Sequence, residues 1–329
     1  MKIHTSPSEL AAEHPHIVFA AGFFDGAHLG HRAIFDGVRQ FADAAERSGL
    51  ARPRTCVLTF TRHPLEILAP ERKPPLLTTF RERLRLIGEA GMESCLTLDF
   101  TRELSALTPA EFVARIFGDW LAPGKTVALA AGENWRFGSG GAGNLDAAAA
   151  AGGGKLQTLR IPSVTVGGEL VSSSTIRRLI GAGELALAGR MLGRDYEIRG
   201  VAVRGRGVGA KIGFATANIK PDSEVLPPCG VYAAEVKLPP SGQWLPAVAN
   251  LGFYPTFGDG VSRGAGAPTL EAHILNGAEG ELYGREIITR PASKLRDEQK
   301  FPSVEKLVEQ IGQDIKNTLE IARLKSRET

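Results

Sequence analysis

Apolar residues run through the first half of the chain in two alternating rhythms. Short runs at 17–21, 55–60, 95–100, 126–131 and 156–161 have strand length. Between them the spacing turns helical. Ile34, Val38, Phe41 and Ala45 recur every three or four residues, 81–90 reads as a helix, and 109–120 as one with proline near its start. Strand–helix repetition predicts an α/β domain with a parallel sheet and helices on both faces. AAAAAGGG at 147–154 reads as a helix end plus a loop.

The second half loses the helical rhythm. Strand-like stretches at 196–203, 231–238, 244–251, 269–274 and 286–289 are separated by Gly and Pro clusters, which predicts an antiparallel barrel or sandwich. One amphipathic helix closes the chain, its apolar face marked by Val304, Leu307, Val308, Ile311, Ile315 and Leu319. The boundary is expected near 181–193, giving domains of 1–186 and 187–329.

Composition narrows the classes. The 329 residues suit two domains, and 39 Lys+Arg against 36 Asp+Glu argue against a general nucleic-acid binder. No apolar run is long enough to span a bilayer, and the polar N-terminus does not read as a secretory signal. The three cysteines, Cys56, Cys95 and Cys229, form neither a disulfide framework nor a zinc knuckle. The expectation is a cytoplasmic protein with reduced, mostly buried thiols, monomeric or weakly self-associating. Its 39 glycines leave an excess to be explained.

Gly22-Phe-Phe-Asp25-Gly-Ala-His28-Leu-Gly30-His31 supplies candidate chemistry. It follows a strand and opens a helix, where free N–H groups and positive potential suit a phosphate. Gly30 lets the phosphate approach the backbone, and the imidazoles can donate hydrogen bonds. Ser173, Ser174 and Arg177 offer hydroxyls and a charged fork, though a Ser-rich start also reads as an ordinary helix cap. Farther on, residues 194–220 carry six basic and two acidic side chains around Gly205, Gly207, Gly209 and Gly213, a loop suited to nucleotide phosphates. Thr216 and Asn218 beside it offer oxygen ligands for Mg²⁺–ATP. Glu271 shares a strand face with Thr269 and His273. Two other glycine patterns carry no site: Gly138-x-Gly140-x-x-Gly143 sits in the wrong context for a dinucleotide fold, and Gly124-Lys125-Thr126 precedes a strand and reads as a tight turn.

The HxGH segment resembles the signature of nucleotidyltransferases. The chain as a whole resembles the prokaryotic bifunctional riboflavin kinase/FAD synthetases. Thr59-Phe60-Thr-Arg-His63-Pro64 is similar to their TFxPHP, Leu77-Thr78-Thr79 with Arg81 and Leu84 to LTT…K/R…L, Gly132–Gly138 to GxNFxFG, and Val171–Arg177 to VSSTxIR. Gly213–Asn218 is similar to GFPTAN. Gly230-Val-Tyr, Ala249–Gly252 with Pro255-Thr256-Phe257, Leu270–His273 and Leu282-Tyr-Gly follow in the family's order.

The resemblance implies a Rossmann-like α/β FMN adenylyltransferase domain at 1–186 and an antiparallel β-barrel riboflavin kinase domain with a terminal helix at 187–329. Riboflavin, FMN and ATP would be the substrates and Mg²⁺ the metal. His28, His31 and Arg177 would stabilise charge in adenylyl transfer, with Gly22, Asp25, Gly30, Asn134, Ser173 and Ser174 holding ATP and Phe60 and Phe137 beside the flavin. Thr216 and Asn218 would hold Mg²⁺–ATP in the kinase, and Glu271 would act as base on the riboflavin 5′-hydroxyl. Departures from the pattern fall in both halves: Thr61-Arg62 stand where an acidic residue and proline are common and Thr175 where a basic residue is usual, while in the kinase Ala215 replaces proline in PTAN and Ala210 stands where arginine is common. A chain that keeps adenylyl transfer with a weakened or lost kinase is therefore the alternative reading.

Overall fold

Four of the five apolar runs of the first half become strands covered on both faces, while the edge run at 156–161 buries only Leu156 fully. Ile17, Phe19, Cys56, Leu58 and Leu129 point into one helix layer, while Val18, Ala20, Val57, Cys95 and Ala128 point into the other. Successive side chains of a strand alternate faces, so a doubly covered strand reads as a continuous apolar run. The computed structural model describes residues 1–205, 213–240, 242–253, 268–275 and 282–328. Arg206, Gly207, Gly209, Ala210 and Lys211 of the basic loop, and Pro255-Thr256-Phe257, lie outside the described residues. The chain divides into two compact units, Met1–Ser173 and Ser174–Thr329.

In chain order the first unit contains β1 (Lys2–His4), α1 (Pro7–Glu13), β2 (His16–Ala21), α2 (Leu29–Arg47), β3 (Arg54–Phe60), α3 (Leu65–Leu68), α4 (Phe80–Glu89) and β4 (Ser94–Leu98). There follow α5 (Arg102–Ala106), α6 (Pro109–Phe117), β5 (Thr126–Gly132), α7 (Leu145–Ala151), β6 (Leu156–Ile161) and the small ribbon of β7 (Thr165–Val166) and β8 (Glu169–Leu170). The main sheet has the order β1-β4-β3-β2-β5-β6, and its strands are all parallel. From β2 the chain steps to β3 and then β4 on one side, and later returns to β5 on the other. The crevice outside the carboxyl ends of β2, β3 and β5 is therefore a topological switch point, where open α/β sheets bind ligands. Gly22, Phe60 and Gly132 mark those ends.

Two expectations need correcting, and two glycine readings hold. The spacing missed β1 and α1, which are short and lie in a polar stretch. On α2 the buried positions are Ile34, Phe35, Val38 and Ala42, while Phe41 is only half-buried. The Gly124 turn does precede β5, with Gly124 at φ 79°. Gly138 and Gly140 lie in a turn between β5 and α7 at φ 73° and 64°, not at the start of a dinucleotide-binding helix.

The second unit contains α8 (Ser173–Ala182), α9 (Leu185–Leu192), β9 (Ile198–Val203), β10 (Ala217–Pro221), β11 (Gly230–Lys237), β12 (Trp244–Phe253), β13 (Pro268–Ile274), β14 (Glu286–Arg296) and the terminal helix α10 (Val304–Glu328). Six strands close a barrel in the order β10-β13-β12-β11-β14-β9, each pairing antiparallel. Ile219, Leu270 and Leu251 meet in register on the buried face, as do Ala272 and Ala249.

The sequence showed five of these strands and cut one short. β10 (ANIKP) carries one fully buried apolar residue, Ile219, too few for an alternation to show. β14 runs on past Thr289 because Pro291 sits beside a register shift against Ala233 and Ala234, and a bulge accommodates a residue that cannot donate to the ladder. The terminal helix is where predicted, and Leu307, Ile311, Ile315 and Leu319 of its expected apolar face are half-buried, but its fully buried positions among the described side chains are polar. Val304 and Val308 are exposed, whereas Asp314 and Thr318 are each 2% exposed. Arg296 accounts for this: its Nε and Nη2 both donate to the Asp314 carboxylate, at 3.1 and 2.9 Å.

Candidate active sites

The loop joining β2 to α2 is held in an unusual backbone shape. Phe24 (φ 62°) and Ala27 (φ 41°) both lie in the left-handed region, which costs non-glycine residues roughly 1–3 kcal/mol each and tends to persist at functional sites. Burial of the Phe24 side chain against Phe35, with ring centroids 4.9 Å apart, opposes that cost. Gly22 is required because a Cβ there would stand 2.9 Å from the Phe24 ring. Asp25 is buried and its carboxylate accepts from Leu77 N, Thr78 N and Thr78 Oγ1, each at 3.0 Å. It thus ties the loop to the Leu77-Thr78-Thr79 segment.

His28 caps α2, its Nδ1 accepting from His31 N at 3.4 Å. With Nδ1 as acceptor, the ring proton of the neutral imidazole sits on Nε2. The two imidazoles stack, 3.5 Å between centroids and 19° between planes. Gly30 allows this closeness, since a Cβ would lie 3.3 Å from the His28 ring and 3.4 Å from the Val171 carbonyl. Ser173, which opens α8, donates its hydroxyl to the Asp25 carbonyl at 3.0 Å. Ser174 and Arg177 belong to the second unit, exposed and half-buried respectively.

Burial pushes His31 well below the usual imidazole value, and His28 and Arg83 add to the effect. The sequence had pointed to Arg81, which is exposed; it is Arg83 that is buried, at 1% exposure. Arg83 lies over the Phe23 ring at 3.9 Å and donates to the Phe60 carbonyl at 2.5 Å. Burial lowers its pKa to about 10 although Asp25 opposes that shift, so it stays charged at neutral pH. Helical spacing hid Arg83, because in an RERLRL pattern every arginine reads as a solvent-facing residue.

His4 and His14 are likewise held below the usual 6.5, in each case chiefly by burial. All three imidazoles are neutral in the fold at a pH where the unfolded chain begins to protonate. Below 6.5 the unfolded state binds more protons, so stability is present above that value and is lost as pH falls. Thermal melts between about pH 8 and pH 5 should be flat at first and then fall below about 6.5, with a shallower fall in His31→Gln. A His31→Gln profile that superimposes on the parent would remove His31 from this account.

An apolar cavity of about 290 Å³ opens beside the loop, lined by Gly22, Pro64, Leu104 and Trp135 together with Phe60 and Phe137. The two predicted flavin neighbours are therefore brought together. Trp135, which the sequence reading passed over, stacks on Phe137 with centroids 4.7 Å apart. Asn134 is exposed in the same β5–α7 connection.

In the second unit the register places Asn218 on β10 and Asn250 on β12 directly opposite Glu271 on β13. A cavity of about 350 Å³ lies over this row, walled by Val231, Val248 and Glu271 on the barrel and by Leu307 and Ile311 on α10. A second, of about 520 Å³, is lined by Arg204, Gly205, Asn218 and Tyr283. Thr216 and His273 line both. His273 Nδ1 is 2.8 Å from the Ala215 carbonyl, so a side-chain bond fixes the backbone where the family's proline is missing. A Cβ on Gly205 would stand 2.1 Å from Asn218 Nδ2. Gly205→Ala should therefore displace the carboxamide and, in the phosphorylation that the resemblance implies, lower kcat/KM for ATP by about tenfold. Steady-state kinetics check this, and an unchanged value would show that the carboxamide need not stand where it does.

A parallel sheet carrying an HxGH loop at its switch point, followed by a closed barrel with a carboxylate lining one of two adjoining cavities, defines a two-unit enzyme of nucleotidyl and phosphoryl transfer. A family model described as FAD synthetase matches residues 10–175, and one described as riboflavin kinase matches residues 192–322. The chain belongs to the family of bifunctional riboflavin kinase/FMN adenylyltransferases. The protein of that name from Escherichia coli strain K12 is 35% identical over 300 residues, 90% of each chain. That from Pseudomonas fluorescens is 35% identical over 308 residues, 93% of each, and that from Bacillus subtilis 31% over 300, 90% of each. A solved chain described as a macrolide-efflux protein from Streptococcus pneumoniae shares the fold, with TM-score 0.79 and 26% identity over 96% of this chain and 97% of that one. The efflux role belongs to that description; among the described residues of this chain no helix is long and apolar enough to cross a membrane.

Proposed function

We propose that the barrel unit transfers the γ-phosphoryl group of ATP to riboflavin, giving FMN and ADP, and that the α/β unit transfers AMP from a second ATP to FMN, giving FAD and pyrophosphate. The functional boundary proposed is 186/187, within the stretch 176–191 that neither family model covers. One observation carries the reading: each unit sets an apolar cavity against a polar segment whose residues suit a phosphate. In the first they share Gly22, and in the second Thr216 and His273.

In adenylyl transfer the isoalloxazine occupies the cavity of Phe60, Trp135 and Phe137, directing the FMN phosphate toward the β2–α2 loop. That phosphate attacks the α-phosphorus in line and pyrophosphate leaves. His28 Nε2–H donates to the transferring phosphate, with His31, Ser173, Ser174 and Arg177 adding donors. Gly22 and Gly30 leave the phosphates room, and Asn134 positions the nucleotide. Asp25 holds the loop: its carboxylate oxygens are spent on Leu77 and Thr78, and a carboxylate would repel phosphate.

In the kinase, Glu271 accepts the proton of the riboflavin 5′-hydroxyl as that oxygen attacks the γ-phosphorus. The donor set here fits Mg²⁺, because the Thr216 hydroxyl and the Asn218 carbonyl are hard oxygens and the space beside Asn218 is kept by a glycine. Bound there, Mg²⁺ would neutralise charge on the phosphates. Incubation of the full chain with riboflavin, ATP and Mg²⁺ should give FMN and then FAD, resolved by chromatography. Absence of both products over a broad range of conditions would overturn the assignment.

A further inference from the structure

β1 and the end of α1 bring together three potential ligands that neither reaction uses. Ligand atoms of His4, Glu13 and His14 all lie within 4.8 Å of one another. His4 is only 6% exposed, and its Nε2 is buried without a hydrogen-bond partner among the described residues. An imidazole nitrogen in that position is costly unless something takes its lone pair or proton. The two rings meet edge to face at 6.2 Å, and His14 Nε2 is 3.8 Å from Glu13 Oε2.

The backbone beneath this cluster is pinned. The His14 carbonyl accepts from Trp120 Nε1 at 2.8 Å, and its N–H donates to the Leu10 carbonyl at 2.9 Å. The His4 carbonyl accepts from Thr97 Oγ1 at 3.3 Å. The imidazoles are thus presented from fixed main chain, which spares a bound ion much of the ordering cost.

We propose that His4, Glu13 and His14 form a binding site for a divalent transition-metal ion of the zinc class, which staples β1 to the end of α1. Two imidazoles and one carboxylate are a donor set that Zn²⁺ accepts with a fourth position left for water. Bonds of about 2.0–2.1 Å in a tetrahedron put ligand atoms about 3.4 Å apart, so the Glu13–His14 pair is already close and side-chain rotation closes the rest. Entry is from the Glu13 and His14 side, where the side chains are 43% and 25% exposed. Lys2 Nζ donates to Glu13 Oε2 at 2.5 Å, occupying with an ammonium the place the ion would take. Lys2 is therefore a competitor, and its strand anchors the same region.

The test uses the full chain, stripped with a chelator and titrated with Zn²⁺ alone by calorimetry, with Co²⁺ absorption reporting the ligand geometry. One equivalent should bind and raise the melting temperature. Removing a second-sphere partner commonly costs 10–100-fold in affinity, so losing a ligand in His14→Gln or Glu13→Gln should weaken binding by more than about 100-fold. Lys2→Met should tighten it, and FMN and FAD synthesis should be unchanged in all three variants. His14 is half-buried and its substitution leaves the buried His4 in place, so the result does not depend on a variant that fails to fold. Zn²⁺ affinity unchanged in His14→Gln, or no stoichiometric binding to the parent chain, would overturn the proposal.

Discussion

His28→Ala should lower the rate of FAD formation from FMN by about 10²–10³-fold, the usual cost of removing one preorganised donor at a transition state. The same variant should phosphorylate riboflavin at the parent rate, because His28 lies in the α/β unit and the kinase residues lie in the barrel. The size of the effect follows from the geometry. His28 is 3% exposed, caps α2 through Nδ1, and so keeps Nε2–H as its donor. The cap is a second role, and its loss costs about 1 kcal/mol. His28→Asn keeps a capping side chain but lacks the imidazole donor, so it should recover the melting temperature and not the rate. Quantifying FMN and FAD in a single time course reads both activities. Equal loss of the two would contradict the assignment of one reaction to each unit.

Glu271→Gln should lower the kcat of riboflavin phosphorylation by about 10²–10⁴-fold, the usual range for a positioned general base, and leave adenylylation of added FMN intact. Glutamine keeps the shape and the cross-strand neighbours Asn218 and Asn250, so barrel stability should change little. KM for riboflavin should stay within about threefold if the cavity walls alone bind the ring system, since only a transition-state interaction is removed. A parent-like kcat would show that the hydroxyl proton leaves by another route.

The fold was legible wherever burial imposes a period. Fully covered strands such as β2 and β5 are apolar beyond their first residues, His16 and Thr126, and α6 begins with proline after Thr108 and carries a capping box with Glu111. Legibility failed where tertiary contacts replace the pattern. β10 is held by its two neighbours through backbone pairing while burying a single apolar residue fully. The buried face of α10 includes Asp314 and Thr318 because Arg296 arrives from β14, a partner that no helical period encodes. The site divides in the same way. His28, Gly30, Thr216, Asn218 and Glu271 stood out as chemistry at a given spacing, whereas Arg83, Trp135 and His273 gain their roles from what the fold sets beside them.

By itself the sequence determined the two architectures, the order of the motifs and the family, because local periodicity and residue chemistry are carried by neighbours along the chain. Only the tertiary structure decided the rest. It turned the Asp25 carboxylate inward to bind the Leu77-Thr78 backbone, placed Phe60 beside Phe137 across a common cavity, and set Glu271 between two asparagines by strand register. It also assembled His4, Glu13 and His14 at one point. The reason is physical: hydrogen-bond register and packing bring together residues distant in the chain, and no pattern within one segment records its partners in another.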